Sequence, residues 1–361
     1  MTAPLAPRLD TRQIATLARD MYALDVVDVR PLGGETASNA QLLLRDGSPR
    51  MFKAVEARDL VHASHLHETM SWRASLARRA AAEGIPAATA HPGPDGAEIS
   101  RVDDDGRRLL VSVSSWMPGV PLASAELAPS AATRSRRELG TNAARMLAAL
   151  AGHPSPAEPI EHEWAFESMA VTINAALDEE ETGARIGPVD RQAIDVIVER
   201  FAHVAPVVRE LPRGLTHHDL NDFNVLVDPT SGALTGVVDF DDARTAPHVA
   251  EVAIAGAYAM LGQTRPARAL RDVVAGASTI RPLSAEETSV LLVGAATRLC
   301  LNAVLWTARS GAHNATYGAA RMARTWPVIR QLAASAWAPI EDGLASVASG
   351  SSTMTSWESI R

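Results

Sequence analysis

The chain has 361 residues, 47% apolar but only 4% aromatic, with a formal net charge of -8 and one cysteine, Cys300. This length exceeds what one hydrophobic core usually organises, and the alanine-rich, aromatic-poor composition favours helices over a sandwich or barrel. A lone cysteine excludes an internal disulfide or a cysteine-rich metal site, and the negative balance argues against nucleic-acid and anionic-membrane partners, which need basic faces.

Residues 10–24 carry helix-like apolar spacing. Short runs bounded by glycine and aspartate follow: VVDVRPL, NAQLLLRDG and RMFKAVE read as successive strands, with GGETAS a flexible connection and RDGS a hairpin turn. Residues 62–83 turn helical in period until Gly84 and Pro86 stop them. AEISRV and RRLLVSVSSW make another hairpin around DDDG, and MPGVPL then breaks the chain. The first part of the chain thus reads as a sheet of about five strands with one main helix. Helical periodicity dominates afterwards, in RSRRELGTNAARMLAALAG and over residues 160–180, 189–209, 246–262, 284–309 and 313–336. Only two apolar runs around residues 224–240 interrupt it. The apolar runs 249–261 and 289–308 contain Glu251 and Arg298, so neither reads as a membrane span. The opening MTAPLAPRLD lacks the basic and apolar parts of a secretory leader, and a cytoplasmic protein is expected.

One of the interrupting runs closes a dense polar stretch, LTHHDLNDFNVLVD, in which His217, Asp219 and Asn224 stand as H-x-D-x-x-x-x-N. Asp239 opens D-F-D fifteen residues after the asparagine. The turn PTSG lets LTGVVD return antiparallel, which brings Asn224 and Asp239 to the same end of a hairpin as two oxygen ligands for Mg2+. Asp219, a loop's width away, then faces a substrate hydroxyl and accepts its proton, while His217 positions the loop. Aspartate and asparagine also serve ordinary turns, but a polar hairpin does not account for the lysine upstream. In RMFKAVE, Phe52 and Ala54 point one way and Lys53 the other, toward nucleotide phosphates. Glu68, on the following helix, is its expected ion-pair partner, with Glu56 the competitor. Gly33 and Gly34 let a loop approach the nucleotide, Thr36, Ser38 and Asn39 add hydrogen-bonding groups, and the base is expected at a hinge around Ser115 and Met117.

The segments HHDLNDFNVLVD, VVDFDDA and MFKAV resemble the catalytic segments of the aminoglycoside phosphotransferase and choline kinase superfamily. With DDARTAPHVAEVAIAGAYAML, ATRLCLNAVLWTAR and HNATY, they are most similar to its hydroxylysine kinases and related bacterial amino-alcohol kinases. The resemblance spans roughly residues 25–335 and implies an α+β, two-lobed, protein-kinase-like fold. The expected division is an N-terminal helical extension (1–24), a nucleotide-binding lobe (25–118), a helical catalytic and acceptor-binding lobe (119–340) and a disordered tail (341–361). It further implies Asp219 as catalytic base, Asn224 and Asp239 as metal ligands, and Lys53 with Glu68 on the phosphates of ATP or GTP. Three departures stand out: His218 replaces a common glycine, Asp241 and Asp242 follow the metal aspartate, and the glycine-rich loop matches only loosely.

The expected reaction is Mg2+-assisted transfer of the terminal phosphate to a hydroxyl of an amino alcohol or hydroxylysine-like amino acid. An aminoglycoside or other antibiotic phosphotransferase is the alternative within the enzyme class. A catalytically silent nucleotide- or ligand-binding protein is the alternative outside it, disfavoured because every catalytic position is filled. For the acceptor, Asp222, Asp242 and Glu251 are candidates to meet an ammonium, Arg244 or Arg298 to meet a carboxylate, and His218 to narrow the pocket. Glu251 and Arg298, both in apolar helical segments, are alternatively partners of one another.

Overall fold

A computed structural model describes residues 9–33, 37–104, 106–156, 162–309 and 315–349. The chain divides into two compact units: Met1–Pro118 with Gly236–Asp241, and Gly119–Thr235 with Asp242–Arg361.

The first unit opens with helix α1 (Thr11–Tyr22), fixed by a reciprocal cap in which Asp10 accepts from the Arg12 and Gln13 amides at 2.8 Å and the Gln13 side chain accepts from the Asp10 amide at 3.0 Å. Strands β1 (Val26–Leu32), β2 (Ala37–Leu44), β3 (Pro49–Ala57), β4 (Ile99–Asp104) and β5 (Arg107–Ser115) form one sheet in the order β1-β2-β3-β5-β4. Every neighbouring pair is antiparallel. Helix α2 (Leu60–Ala82) lies between β3 and β4 in sequence and starts on the Asp59 cap, whose carboxylate accepts from the His62 amide. Strand alternation sorts the two faces. Phe52, Ala54, Val111 and Val113 pack with Ile14, Leu17 and Tyr22 of α1 on one face. Ala57, Ile99 and Leu110 pack with Ala63 and Met70 of α2 on the other. The α1 helix, set apart from the sheet in the sequence reading, is therefore built into this unit's core.

The second unit is mainly helical: α3 (Pro129–Leu150), α4 (Met169–Asp178), α5 (Glu180–Arg185), α6 (Pro188–Glu210), α7 (His248–Ala259), α8 (Pro266–Ser278), α9 (Ala285–Arg309), α10 (Ala315–Ala334) and α11 (Ala338–Ala348). By length and composition α9 could cross a membrane, but 94% of its apolar window is buried inside the protein, as in a core helix. Helices α3 and α8 cross at glycines. A Cβ on Gly140 would lie 1.8 Å from the Val273 carbonyl oxygen, and one on Gly276 would lie 1.9 Å from that of Arg137. Residues 341–348 of the expected tail belong to α11, which buries Leu344, and the tail from residue 350 lies outside the described residues.

Two small sheets carry the polar motifs. Strands β6 (Val120–Pro121), β8 (Val225–Val227) and β9 (Leu234–Val237) form one, and β7 (Arg213–Thr216) with β10 (Arg244–Pro247) form an antiparallel ribbon. Asp228 closes the turn after β8, its Oδ1 accepting from the Thr230 and Ser231 amides at 3.1 and 2.7 Å. The residues between β7 and β8 are the polar loop of the H-x-D-x-x-x-x-N motif.

Candidate active site

Lys53 sits mid-strand on β3, between Asn39 of β2 and Ser112 of β5. Its ammonium lies 3.6 Å from Oδ1 of Asp239 and pairs more closely with Asp241, 188 residues further along the chain. The partners are delivered by the end of β9. The Val237 amide donates to the Pro86 carbonyl at 2.7 Å and the Val237 carbonyl accepts from the Ala88 amide at 3.0 Å, which anchors the chain two residues before Asp239. Asp239 itself has φ of 64°, a left-handed conformation that costs a non-glycine residue free energy and turns its side chain to the lysine. Burial alone would lower the Lys53 pKa, but the carboxylates of Asp239 and Asp241 outweigh it and hold the amine charged, above the ordinary lysine range.

The remaining nucleotide-site candidates of this unit fall as follows. Glu68 is exposed on α2 and is not a partner of Lys53, and Glu56 pairs with Arg107 at 2.7 Å. The Gly33 carbonyl accepts from the Asn39 amide side chain at 3.1 Å, and Ser38 Oγ accepts from the Leu9 amide at 3.0 Å. Gly34 and Thr36 lie outside the described residues. Ser115 Oγ accepts from the Thr89 amide at 3.0 Å and meets Met117 Sδ at 3.8 Å, fixing the end of β5.

In the second unit the loop between β7 and β8 wraps around one carboxylate. Asp219 Oδ1 accepts from Arg298 Nη2 at 2.8 Å, and Oδ2 accepts from Asn221 Nδ2 at 2.6 Å and Asn224 Nδ2 at 2.7 Å. Three donors on two oxygens fix the carboxylate's plane, while the side chain keeps 16% exposure, enough to meet a ligand. Arg298 is fully buried, donates also to the Trp164 carbonyl at 3.0 Å, and its guanidinium lies over the rings of Trp164 and Tyr258 at 4.8 and 5.9 Å. Asn224 spends its Nδ2 on Asp219, so its Oδ1 is the atom left to offer a cation.

Behind the loop, the buried Glu251 of α7 accepts from the backbone amides of His217 and His218 at 3.2 and 3.0 Å. Burial outweighs these two bonds and lifts its carboxyl to about 7. The alternative pairing of Glu251 with Arg298 is thus replaced by two separate jobs: one orders the loop backbone, the other orders its carboxylate. His218 takes φ of 67°, a left-handed conformation that glycine adopts without strain. Its Nδ1 faces Thr216 Oγ1 at 3.2 Å and its Nε2 accepts from the Phe166 amide at 3.3 Å. Burial, then the charges of Arg298 and Arg244, push its pKa well below the ordinary histidine value, so the ring is neutral.

The other acceptor candidates differ in availability. Asp222 is buried and pairs with Arg324 at 3.1 Å. Asp242 is partly exposed and meets Nε2 of His162 at 3.2 Å. Arg244, on β10, has Nε and Nη1 buried without a hydrogen-bond partner among the described residues. Sequence reasoning passed over Asn221, His162, Trp164, Tyr258 and Arg324. Asn221 lay inside the motif itself; the other four come from distant segments whose approach no local pattern announces.

Asn224 and Asp239 provide amide and carboxylate oxygens, the donor type that suits Mg2+. Among the described residues no three His, Cys, Asp or Glu side chains converge as a metal cage. Asn224 and Asp239, each taken within its own unit, are thus oxygen donors of the kind a phosphate-bound divalent cation takes.

Residues 28–287 match the model of the phosphotransferase enzyme family (APH). Hydroxylysine kinase of Mus musculus is 24% identical over 318 residues, covering 84% of this chain and 83% of that protein, and hydroxylysine kinase of Xenopus laevis is 24% identical over 304 residues, covering 79% of each. Similar folds include a microcompartment-associated aminopropanol kinase (TM-score 0.65, 20% identity, 92% of this chain and 98% of that one). An amicoumacin kinase solved with AMP-PNP and Ca2+ is another (TM-score 0.64, 15% identity, 90% and 94%). The chain is an α+β protein of the protein-kinase-like type and belongs to the phosphotransferase enzyme family, whose members move phosphate onto hydroxyl groups of small molecules.

Proposed function

We propose that the protein uses ATP or GTP with Mg2+ to phosphorylate the hydroxyl of an amino alcohol or hydroxylated amino acid of the hydroxylysine type. The observation that carries the reading is the Asp219 carboxylate, oriented by Arg298, Asn221 and Asn224 yet still accessible. In this account Asp219 accepts the acceptor's hydroxyl proton as the new O–P bond forms and the bond to the nucleoside diphosphate breaks. Lys53 stays charged and contacts the phosphates, while Asn224 and Asp239 supply oxygens to the metal. Mg2+, when bound, offsets the charge building on the phosphate oxygens. Asp242, set beside His162, is the carboxylate that meets the acceptor's ammonium. The hydroxylysine kinases of mouse and frog support the acceptor class.

The test is a product assay in which ATP and GTP are each offered with hydroxylated amino acids, amino alcohols and aminoglycosides, and phosphate esters are identified by mass spectrometry. Esters of hydroxylated amino acids or amino alcohols are expected. Preferential phosphorylation of aminoglycosides would shift the reading to antibiotic modification. Replacing Lys53 by Met should raise the KM for nucleotide by about tenfold or more, since it removes the cation on the phosphates.

A further inference from the structure

A cavity of about 530 Å3 lies wholly within the second unit, beside the catalytic loop, and its charge is opposite to that of the chain as a whole. Four arginines line it: Arg136, Arg265, Arg268 and Arg324. Two are fixed in place, Arg136 by Asp272 at 2.8 Å and Arg324 by Asp222 at 3.1 Å, with a further bond from Arg324 Nη1 to the Ala123 carbonyl at 3.2 Å. The other two, Arg265 and Arg268, are exposed and pair with no carboxylate among the described residues. The starts of α3 and α8 both open onto the cavity, and neither first turn holds an acidic residue, so two positive helix ends add to the guanidinium charge.

In a chain with a net charge of -8, this convergence is a local excess of positive charge in a concave site, the arrangement that takes a carboxylate or phosphate. Two of its wall residues adjoin the groups around Asp219. Asp222 stands three residues after Asp219 on the same loop, and Tyr258 lines the cavity while lying 5.9 Å from the Arg298 guanidinium that holds Asp219. From a group seated here the path to the proposed base runs through the Tyr258 ring and the Arg298 guanidinium.

We propose that the cavity anchors the carboxylate of the acceptor, with Arg265 and Arg268 closing on it and Arg324 forming the fixed wall. The inference rests on the kinase reading above and sharpens it: the acceptor is an anion-bearing hydroxylated amino acid, and polycationic aminoglycosides and simple amino alcohols are disfavoured by the same arginines. The positive charge is useful only to a ligand with an acidic group, since for an amine it is repulsive.

The test is calorimetric titration of the full-length protein with three hydroxy amino acids, serine, homoserine and hydroxylysine, each compared with the amine left when its carboxylate is removed. The wild-type protein is expected to bind at least one amino acid about tenfold or more tighter than its decarboxylated partner. The double variant Arg265→Ala/Arg268→Ala should reduce that preference to within about threefold, by weakening the amino acid rather than the amine, while leaving the melting temperature unchanged. Equal binding of amino acid and amine by the wild type, a preference that survives in the double variant, or no binding of any of the three amino acids overturns the proposal. The kinase reading stands or falls separately. Turnover of amino alcohols as efficient as that of amino acids keeps the kinase and removes the anchor, whereas arginine-dependent binding without turnover of any acceptor keeps the anchor and removes the kinase.

Discussion

Glu251 shows how a single buried carboxyl links loop geometry to pH. Its folded-state pKa of about 7 lies above its ordinary 4.5, so between those values the folded chain holds a proton that the unfolded chain has released. The stability it contributes is complete below the lower value and declines as pH rises through the upper one. Glu251→Gln should flatten this decline by on the order of 2 kcal/mol between about pH 5 and about pH 8, read from urea midpoints; an unchanged slope would show that the carboxyl titrates normally. Arg298 makes a different demand. It is buried against Asp219 and two aromatic rings, and Arg298→Met should cost about 3 kcal/mol of stability by leaving a carboxylate without its cation, besides lowering turnover. At this scale the motif residues Asp219 and Asn224 are visible in sequence because their spacing is set by one loop. Arg298 as the partner of Asp219 is not visible, because the contact joins residues 79 apart through a helix whose composition reads only as core.

Among the elements, α3 and α8 make a close helix crossing in the second unit, with Gly140 and Gly276 each facing a carbonyl of the opposite helix. Gly276→Ala should destabilise the protein by about 2 kcal/mol or more, because the obstructing atom is backbone and cannot rotate away; a melting temperature equal to the parent's would contradict the crossing. The strands of the first unit and α2 are legible because alternation, hairpin turns and Gly84 act locally. Strands β7 and β10 escape notice since each has only four residues and is defined by a partner far along the chain. Helix α8 is a different case. Its sequence PARALRDVVAGAS carries Leu270, Val273, Val274 and Ala277 at helical spacing behind Pro266, a local signal that the sequence reading passes over.

For the whole molecule, the separation of roles follows the division of the chain. The sheet-containing unit gathers Lys53 with Asp239 and Asp241 through a segment borrowed from late in the sequence, and the helical unit gathers Asp219, Asn221, Asn224 and Arg298. Two apolar runs ending in carboxylates mark both gatherings in the sequence, because polar groups that follow short strands closely are held still. The arginine-lined cavity is far less legible, since its walls come from α3, α7, α8 and α10, and no spacing rule ties those helices together. The most direct measurement compares wild type with Asp219→Asn for phosphate-ester formation from ATP or GTP and hydroxylated amino acids or amino alcohols, alongside nucleotide binding. The account predicts a wild-type phosphate ester, a rate loss of roughly 10²- to 10⁴-fold in the variant, and nucleotide affinity within about threefold of the parent. Turnover undiminished in Asp219→Asn, or no ester formed by the wild type with any of these acceptors, would contradict it.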